Sequence, residues 1–470
     1  MSVKGFKSHP YIPNSVPEVE QEMLHEIGLN SLEQLHEEVP DEIILKNEMN
    51  LPEAFGSEYE LRRHVEKLLK KNSSCDDNLN FLGAGCYQHY VPAICDEISG
   101  KGEFLTAYGG ESYNDFGRFQ SLFEYESLMA ELVDMEAVNV PTMDYSQAAS
   151  TAIRMGSRVA GRTGVLVPAS MDREKLAVIK NYCTPDLTIE EVKCDEKTGC
   201  IDLADLKSKL NDSIGVVYFE NPNYFGAFEV DSREIANAAH DALAQCVVGV
   251  DPISLGVVAV PRSYGADIVC GDLQPLGIHM NYGGGQSGFM ATKDDPTMDD
   301  PTYVLEFPSR LFGICRTNTE GEYAFADVAY DRTSFGHLRD KAKEYVGTQT
   351  ALWGITAGVY LATMGPEGMK EVGETIMQNA QYAASKLAAL PDVSLRFETP
   401  FFKEFVLDFN KTGKTVKEIN KALLKKHIFG GKDLSSDFPA LGQCAMYCVT
   451  EVHTKEDIDT LVSALNEILG

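Results

Sequence analysis

Positive charge is scarce in this chain. Lys and Arg number 41 against 71 Asp and Glu, which leaves a net charge of −30 at pH 7. A surplus of that size repels a phosphate backbone and no basic stripe offsets it, so nucleic acid is excluded as a partner. Closely paired cysteines are absent as well. The eleven cysteines include no CxxC motif, which argues against zinc knuckles, and a disulfide scaffold does not suit so long a chain. Cys246, Cys270 and Cys448 stand in apolar runs and read as small buried hydrophobes in a reducing compartment. Long hydrophobic runs are missing too: the best, residues 351–365, falls short of the roughly 20 residues a bilayer requires. Residues 1–15 hold no apolar signal core. A soluble cytoplasmic protein is expected, with no membrane partner. The ten histidines form no HExxH or other ligand spacing, and no GxSxG appears. Neither a metal site nor a hydrolase nucleophile elbow has support.

What is present is an ordinary globular composition, 44% hydrophobic and 24% charged. Acidic residues crowd between Glu18 and Glu42, as a solvated helical face or as a docking arm for another subunit. Short helices are expected in that region. One follows Ser15-Val16-Pro17 and closes at Gly28, and one opens on the capping pair Ser31 and Gln34 and stops at Pro40. A third opens on Ser57 and Glu60, with Leu61, Val65, Leu68 and Leu69 on its apolar side. A stronger helix is predicted over 117–134. From about residue 136, apolar runs at 137–140, 164–167, 187–192, 215–219, 247–250 and 268–270 alternate with helices near 146–160, 171–183, 202–211 and 232–244. One helix between each pair of strands predicts βαβ units and a mostly parallel sheet covered on both faces. Two long helices broken at Gly365-Pro366 follow. The tail then carries strands at 393–397, 404–409 and 444–449 with helices at 416–426 and 455–468. The organisation expected is a helical arm over 1–75, a large α/β domain over 76–345, and connecting helices with a small α+β domain over 346–470.

Ligands of an open α/β sheet gather at the carboxyl ends of its strands. Asp251 ends the run 247–250 and so belongs to that edge. The next strand leads into Gly271-Asp272-Leu273-Gln274-Pro275. This layout resembles that of pyridoxal-phosphate enzymes of the aspartate-aminotransferase type. In them the Asp pairs with the pyridinium nitrogen and a Lys after the next strand forms the Schiff base. Taken alone, Asp251 is equally readable as a strand-end carboxylate capping a turn. No lysine lies between Lys209 and Lys293, and Gln274 occupies the loop where the Schiff-base lysine belongs. An amide cannot form an imine, so no covalent cofactor is expected on this chain. Gly283 to Gly288 matches G-x-G-x-x-G in form, but a strand and not a helix is expected after it, which argues against a dinucleotide site.

Longer segments resemble subunit 1 of the glycine-cleavage P-protein, the two-subunit form of glycine dehydrogenase (decarboxylating). They are Tyr11-Ile12-Pro13, Phe81-Leu82-Gly83-Ala84-Gly85-Cys86-Tyr87-Gln88-His89-Tyr90-Val91-Pro92, Thr106-Ala107-Tyr108 and Phe123-Glu124-Tyr125-Glu126. Val250-Asp251-Pro252-Ile253-Ser254-Leu255-Gly256, Tyr264-Gly265-Ala266-Asp267-Ile268-Val269 and Lys426-His427-Ile428-Phe429-Gly430-Gly431 belong with them. The most specific is Gly271-Asp272-Leu273-Gln274-Pro275-Leu276-Gly277-Ile278, since Gln-Pro-Leu-Gly in the lysine position marks subunit 1 rather than subunit 2.

The resemblance implies an α/β fold of PLP-dependent fold type I, aspartate-aminotransferase-like, with a smaller α+β C-terminal domain. It implies a heterotetramer with a homologous subunit 2 that carries the cofactor lysine and pyridoxal phosphate. The joint enzyme decarboxylates glycine and passes the aminomethyl group to the lipoyl arm of the H-protein. Tyr108 and His89 become candidates for the intersubunit cleft, or else core residues holding that loop. Asp251 and Gln274 become remnants of a cofactor pocket. The chain departs from the subunit 1 pattern at 109–118 and again at 333–340. Those departures leave open a scaffold or regulatory paralogue, and a separate alternative is an independent enzyme on the same fold that uses the cleft non-covalently or through another lysine.

Overall fold

The computed structural model describes residues 11–47, 49–105, 116–294, 302–327, 344 and 350–470. Tyr108, the segments 106–108 and 333–340, and most of 109–118 lie outside the described residues. The chain divides into two compact units, Met1–Ser73 and Ser74–Gly470.

The first unit is helical. Pro17–Glu26 begins with Pro17 in its first turn, where the missing N–H costs nothing, and Gly28 follows its end with φ +78°. Its N-cap is Val16, not Ser15, whose hydroxyl donates instead to the Ile12 carbonyl at 2.7 Å. The Ser31–Gln34 capping box forms, but on a five-residue 3₁₀ turn, Leu32–His36, that ends short of Pro40. None of its residues is buried, and without packing so short a segment does not propagate as α-helix. Glu58–Leu69 is capped by Ser57 Oγ, which accepts from the Glu60 amide at 3.2 Å.

The second unit opens on β1 (Leu79–Asn80). The main sheet holds β2 (Ala137–Val138), β3 (Gly164–Pro168), β4 (Thr188–Val192), β5 (Ile214–Glu220), β6 (Gln245–Val250), β7 (Ile268–Asp272) and β8 (Gly288–Thr292). Their spatial order is β2-β8-β7-β6-β5-β3-β4. The five strands β3 to β7 run parallel, while β8 is antiparallel to both β7 and β2. Every residue of β3, β5 and β7 is buried, which explains their unbroken apolar runs: helices cover both faces. The helix Tyr145–Ala160 shows how closely they lie. Asp144 caps it by accepting from the Gln147 amide at 2.7 Å, and Ala148, Ala149, Ala152 and Gly156 face the sheet fully buried.

A hairpin follows, β9 (Phe312–Arg316) with β10 (Tyr323–Asp327). The long helix Ala351–Leu387 breaks at Gly365, whose φ of +60° and ψ of −178° are not helical, with Pro366 next. A four-stranded antiparallel sheet lies in the C-terminal part of the chain. It comprises β11 (Ser394–Leu395), β12 (Glu404–Asp408), β14 (Lys432–Asp433) and β15 (Cys444–Cys448), ordered β11-β12-β15-β14. Between them β13 (Ile428–Phe429) returns to pair in parallel with β1. The helices Val416–Leu424 and Lys455–Leu469 open on full capping boxes, Thr415 with Glu418 and Thr454 with Asp457. The carboxyl ends of β5, β6 and β7 thus face the start of β12, and the candidate site lies between them.

Candidate functional site

A cavity of about 300 Å³ lies at that edge. The ends of β5, β6 and β7 supply Glu220, Asp251 and Asp272 to its wall. Tyr145 and Ser146 come from a helix start, Lys175 from the helix Arg173–Cys183, and Lys403 and Glu404 from the start of β12.

Asp251 caps the turn that follows its strand and also meets a lysine. Its Oδ1 accepts from the Ile253 amide at 3.0 Å, which caps the turn after β6. Its Oδ2 pairs with Lys403 Nζ at 2.5 Å. Lys403 is only 2% exposed, so its charge depends on these partners. The ammonium also donates to His89 Nε2 at 3.2 Å and stands 3.2 Å from the centroid of the Tyr87 ring. An ammonium offers only donors, so Nε2 of His89 accepts and Nδ1 donates to Glu451 Oε2, 2.8 Å away. Glu451 Oε1 in turn accepts from the Tyr90 amide at 2.7 Å. The chain Asp251–Lys403–His89–Glu451, buried at its two middle members, therefore joins the main sheet to the C-terminal sheet.

Gln274 does not face the cavity. Its Oε1 accepts from the Tyr87 amide at 3.0 Å, and its Nε2 donates to the carbonyls of Tyr87 at 2.9 Å and Ile278 at 3.0 Å. The amide thus pairs with the backbone of Tyr87 much as a neighbouring strand would. That tether fixes the segment before it, where Gly83, Ala84 and Gly85 all have positive φ, 126°, 59° and 98°. Ala84 bears a side chain in that region and is held there by its amide, which donates to Glu404 Oε1 at 2.7 Å. Glu404 Oε2 accepts from the Tyr87 hydroxyl at 3.1 Å. The structure so brings His89, Asp251 and Gln274 into one network whose hub is Tyr87 and Lys403.

Neither hub residue is singled out by sequence reasoning, nor is a second, half-buried lysine, Lys175. Lys175 Nζ pairs with Glu220 Oε1 at 2.8 Å and lies 3.6 Å from the centroid of the Tyr145 ring. The Tyr218 hydroxyl donates to the same Glu220 oxygen at 2.7 Å. The signal for Lys403 was its setting, Phe401-Phe402-Lys403-Glu404-Phe405, where charge interrupts an aromatic run. Acid outnumbers base in this wall: Asp144, Asp172 and Glu174 join the four carboxylates already named, against two lysines. Burial pushes the carboxyls of Asp272 and Glu404 up to about 7.

These residues do not fit pyridoxal phosphate. The amine is missing at 274, and an ammonium already holds the carboxylate that would face a pyridinium nitrogen. A phosphate would meet the acidic wall, with Asp144 closing the helix start that would otherwise receive it. Among the described residues, no group of three or more His, Cys, Asp or Glu side chains is disposed to hold a metal ion, and no helix is long and apolar enough to cross a membrane. The glycine turn 283–285 leads into β8, so a strand and not a helix follows it.

Known proteins agree with the architecture. The model of the glycine cleavage system P-protein family matches residues 9–465. A probable glycine dehydrogenase (decarboxylating) subunit 1 of Staphylothermus marinus is 37% identical over 472 residues, covering 98% of this chain and 99% of its own. The protein of the same name from Pyrococcus horikoshii is 38% identical over 464 residues, with the same coverage. A crystal structure of glycine decarboxylase (P-protein) of the glycine cleavage system, in inhibitor-bound form, superposes with a TM-score of 0.85 at 31% identity, covering 98% of this chain and all of that one. A NifS-like protein shares the fold at 11% identity and a TM-score of 0.61, over 83% of this chain and 99% of its own. The fold is thus that of PLP-dependent fold type I. The chain belongs to the glycine cleavage system P-protein family, among its glycine dehydrogenase (decarboxylating) subunit 1 members.

Proposed function

We propose that this chain is the cofactor-less subunit of a two-subunit glycine decarboxylase. It assembles with a homologous, lysine-bearing subunit 2, in a heterotetramer and in the cytoplasm. Pyridoxal phosphate resides on that partner, where it stabilises the carbanion left when glycine loses CO₂. The aminomethyl group then passes to the lipoyl arm of the H-protein. Gln274 is the observation that carries this reading. It stands where the Schiff-base lysine belongs, and all three of its side-chain hydrogen bonds go to backbone groups inside the chain. The full-length likeness to relatives named as subunit 1 supports the same role.

What this chain contributes under that reading is shape and rigidity. The Tyr87–Glu404–Gln274 tethers fix the strained segment 83–86 at the cleft. The Asp251–Lys403–His89 chain fixes the C-terminal sheet against it.

The test is co-expression with the lysine-bearing homologue. The pair should co-purify and exchange label between glycine and bicarbonate in the presence of lipoylated H-protein, while this chain alone exchanges none. Exchange by the purified chain alone would contradict the reading. So would failure of the two chains to associate.

A further inference from the structure

Fold type I enzymes use an aspartate at the carboxyl edge of the sheet to hold a pyridinium nitrogen, and a lysine to hold the aldehyde carbon. This chain keeps the aspartate. Loss of the lysine alone would leave Asp251 as an open carboxylate, able to bind the ring without a covalent bond. The structure does not leave it open. Lys403 reaches across from the start of β12, and its ammonium already engages Asp251, His89 and the Tyr87 ring.

Deepening the reading of a cofactor-less subunit, on which this rests, we propose that Lys403 is an internal occupant of the ring-nitrogen position and the residue that keeps pyridoxal phosphate out of this cleft. Three observations carry it. Lys403 Nζ lies 2.5 Å from Oδ2 of Asp251, the carboxylate that a pyridinium N–H would need. The side chain is 2% exposed, so it is no mobile surface lysine that could swing aside. His89 and the Tyr87 ring bracket the same ammonium, and Gln274 and Glu404 fix Tyr87 in turn. A lysine placed by this many partners cannot yield the site without breaking the network. A second positive charge, the pyridinium, would have to enter beside it. Cofactor exclusion is therefore encoded twice, by the absent amine at 274 and by the ammonium at 403, and the second is sufficient alone.

The experiment returns an amine to position 274 in the full-length chain and asks whether it is used. Q274K, Q274K/K403M and Q274K/K403R are incubated with pyridoxal phosphate and then borohydride. The amine introduced at 274 condenses with the aldehyde, releasing water, and borohydride hydride reduces the C=N bond to a stable secondary amine. Peptide mass spectrometry measures the adduct at 274. Q274K/K403M should carry at least tenfold more adduct than Q274K, and Q274K/K403R, which keeps the charge, should match Q274K. Equal labelling of Q274K and Q274K/K403M, at any level, overturns the proposal, and so does labelling of Q274K/K403R at the K403M level. Circular dichroism establishes that each variant is folded. K403Q, which removes the charge but retains a donor toward Asp251, takes the place of K403M where the latter does not fold, with the same expected outcome. The native chain, paired with its lysine-bearing homologue, reports separately on the subunit role. Loss of exchange there would refute that role and leave these labelling results standing.

Discussion

Glu404 gives a sharp pH test of the network. The residue is 5% exposed, and its carboxyl accepts from the Ala84 amide and the Tyr87 hydroxyl and is pushed by burial from its ordinary 4.5 up to about 7. Lys403 beside it opposes that shift but does not cancel it, and Asp251 adds to it. The folded carboxyl keeps its proton to about pH 7, while the unfolded chain gives it up near pH 4.5. Between those values the folded state binds the extra proton, so this group makes stability fall as pH rises, and its full penalty is reached above pH 7. At about 1.4 kcal/mol per pKa unit, the penalty grows from about 1.4 kcal/mol at pH 5.5 to about 3.4 kcal/mol at pH 8. Glu404→Gln keeps the shape and the acceptor for the Ala84 amide but cannot ionise. In urea unfolding, the stability of E404Q relative to wild type should therefore improve by about 2 kcal/mol between pH 5.5 and pH 8. A difference that does not change with pH would refute the reasoning, because it would mean that Glu404 titrates alike in the folded and unfolded chain.

Other perturbations probe the same region. Lys403→Met strands Asp251 as a buried charge, and chemical unfolding should register a loss of about 3 to 5 kcal/mol, partly recovered by adding Asp251→Asn. A neutral K403M would mean that the pair is solvated. Gln274→Ala removes the partners of Tyr87 N–H and C=O together; a loss of about 2 to 4 kcal/mol is expected, with proteolysis appearing near residues 83–86. Gly226 has φ +82°, and a Cβ there would lie 1.9 Å from the Glu404 carbonyl oxygen, so Gly226→Ala should cost about 3 kcal/mol or more in a thermal melt. Neutralising Glu33, Glu37 and Glu38 together should leave cofactor loading of the partner intact. Loss of loading with assembly preserved would show that the acidic arm serves the cleft after all.

The main sheet was legible because its central strands are buried on both faces, and β5 and β6 announce themselves as apolar runs. The helix break at Gly365-Pro366 was an equally local signal. The hairpin of β9 and β10 gave no such signal, since most of its described residues are exposed or half-buried and little hydrophobic periodicity marks them. The site divides in the same way. Asp251 and Gln274 could be read from their places after two strands. Lys403 had only a charge inside an aromatic run to mark it, and its role stayed hidden because its partners are set by the fold: His89 is 314 residues away along the chain. Gln274 was legible as a missing amine but not as a tether, since nothing in a local sequence tells that an amide will pair with the backbone 187 residues earlier.

The central claim is that this subunit serves a glycine decarboxylase without holding the cofactor itself. The most direct measurement is borohydride reduction of the co-purified, exchange-active complex, followed by peptide mapping of the pyridoxyl group. The account predicts one adduct, on the partner's lysine, with every lysine of this chain unmodified. A stoichiometric adduct on Lys175, Lys403 or any other lysine of this chain would contradict it.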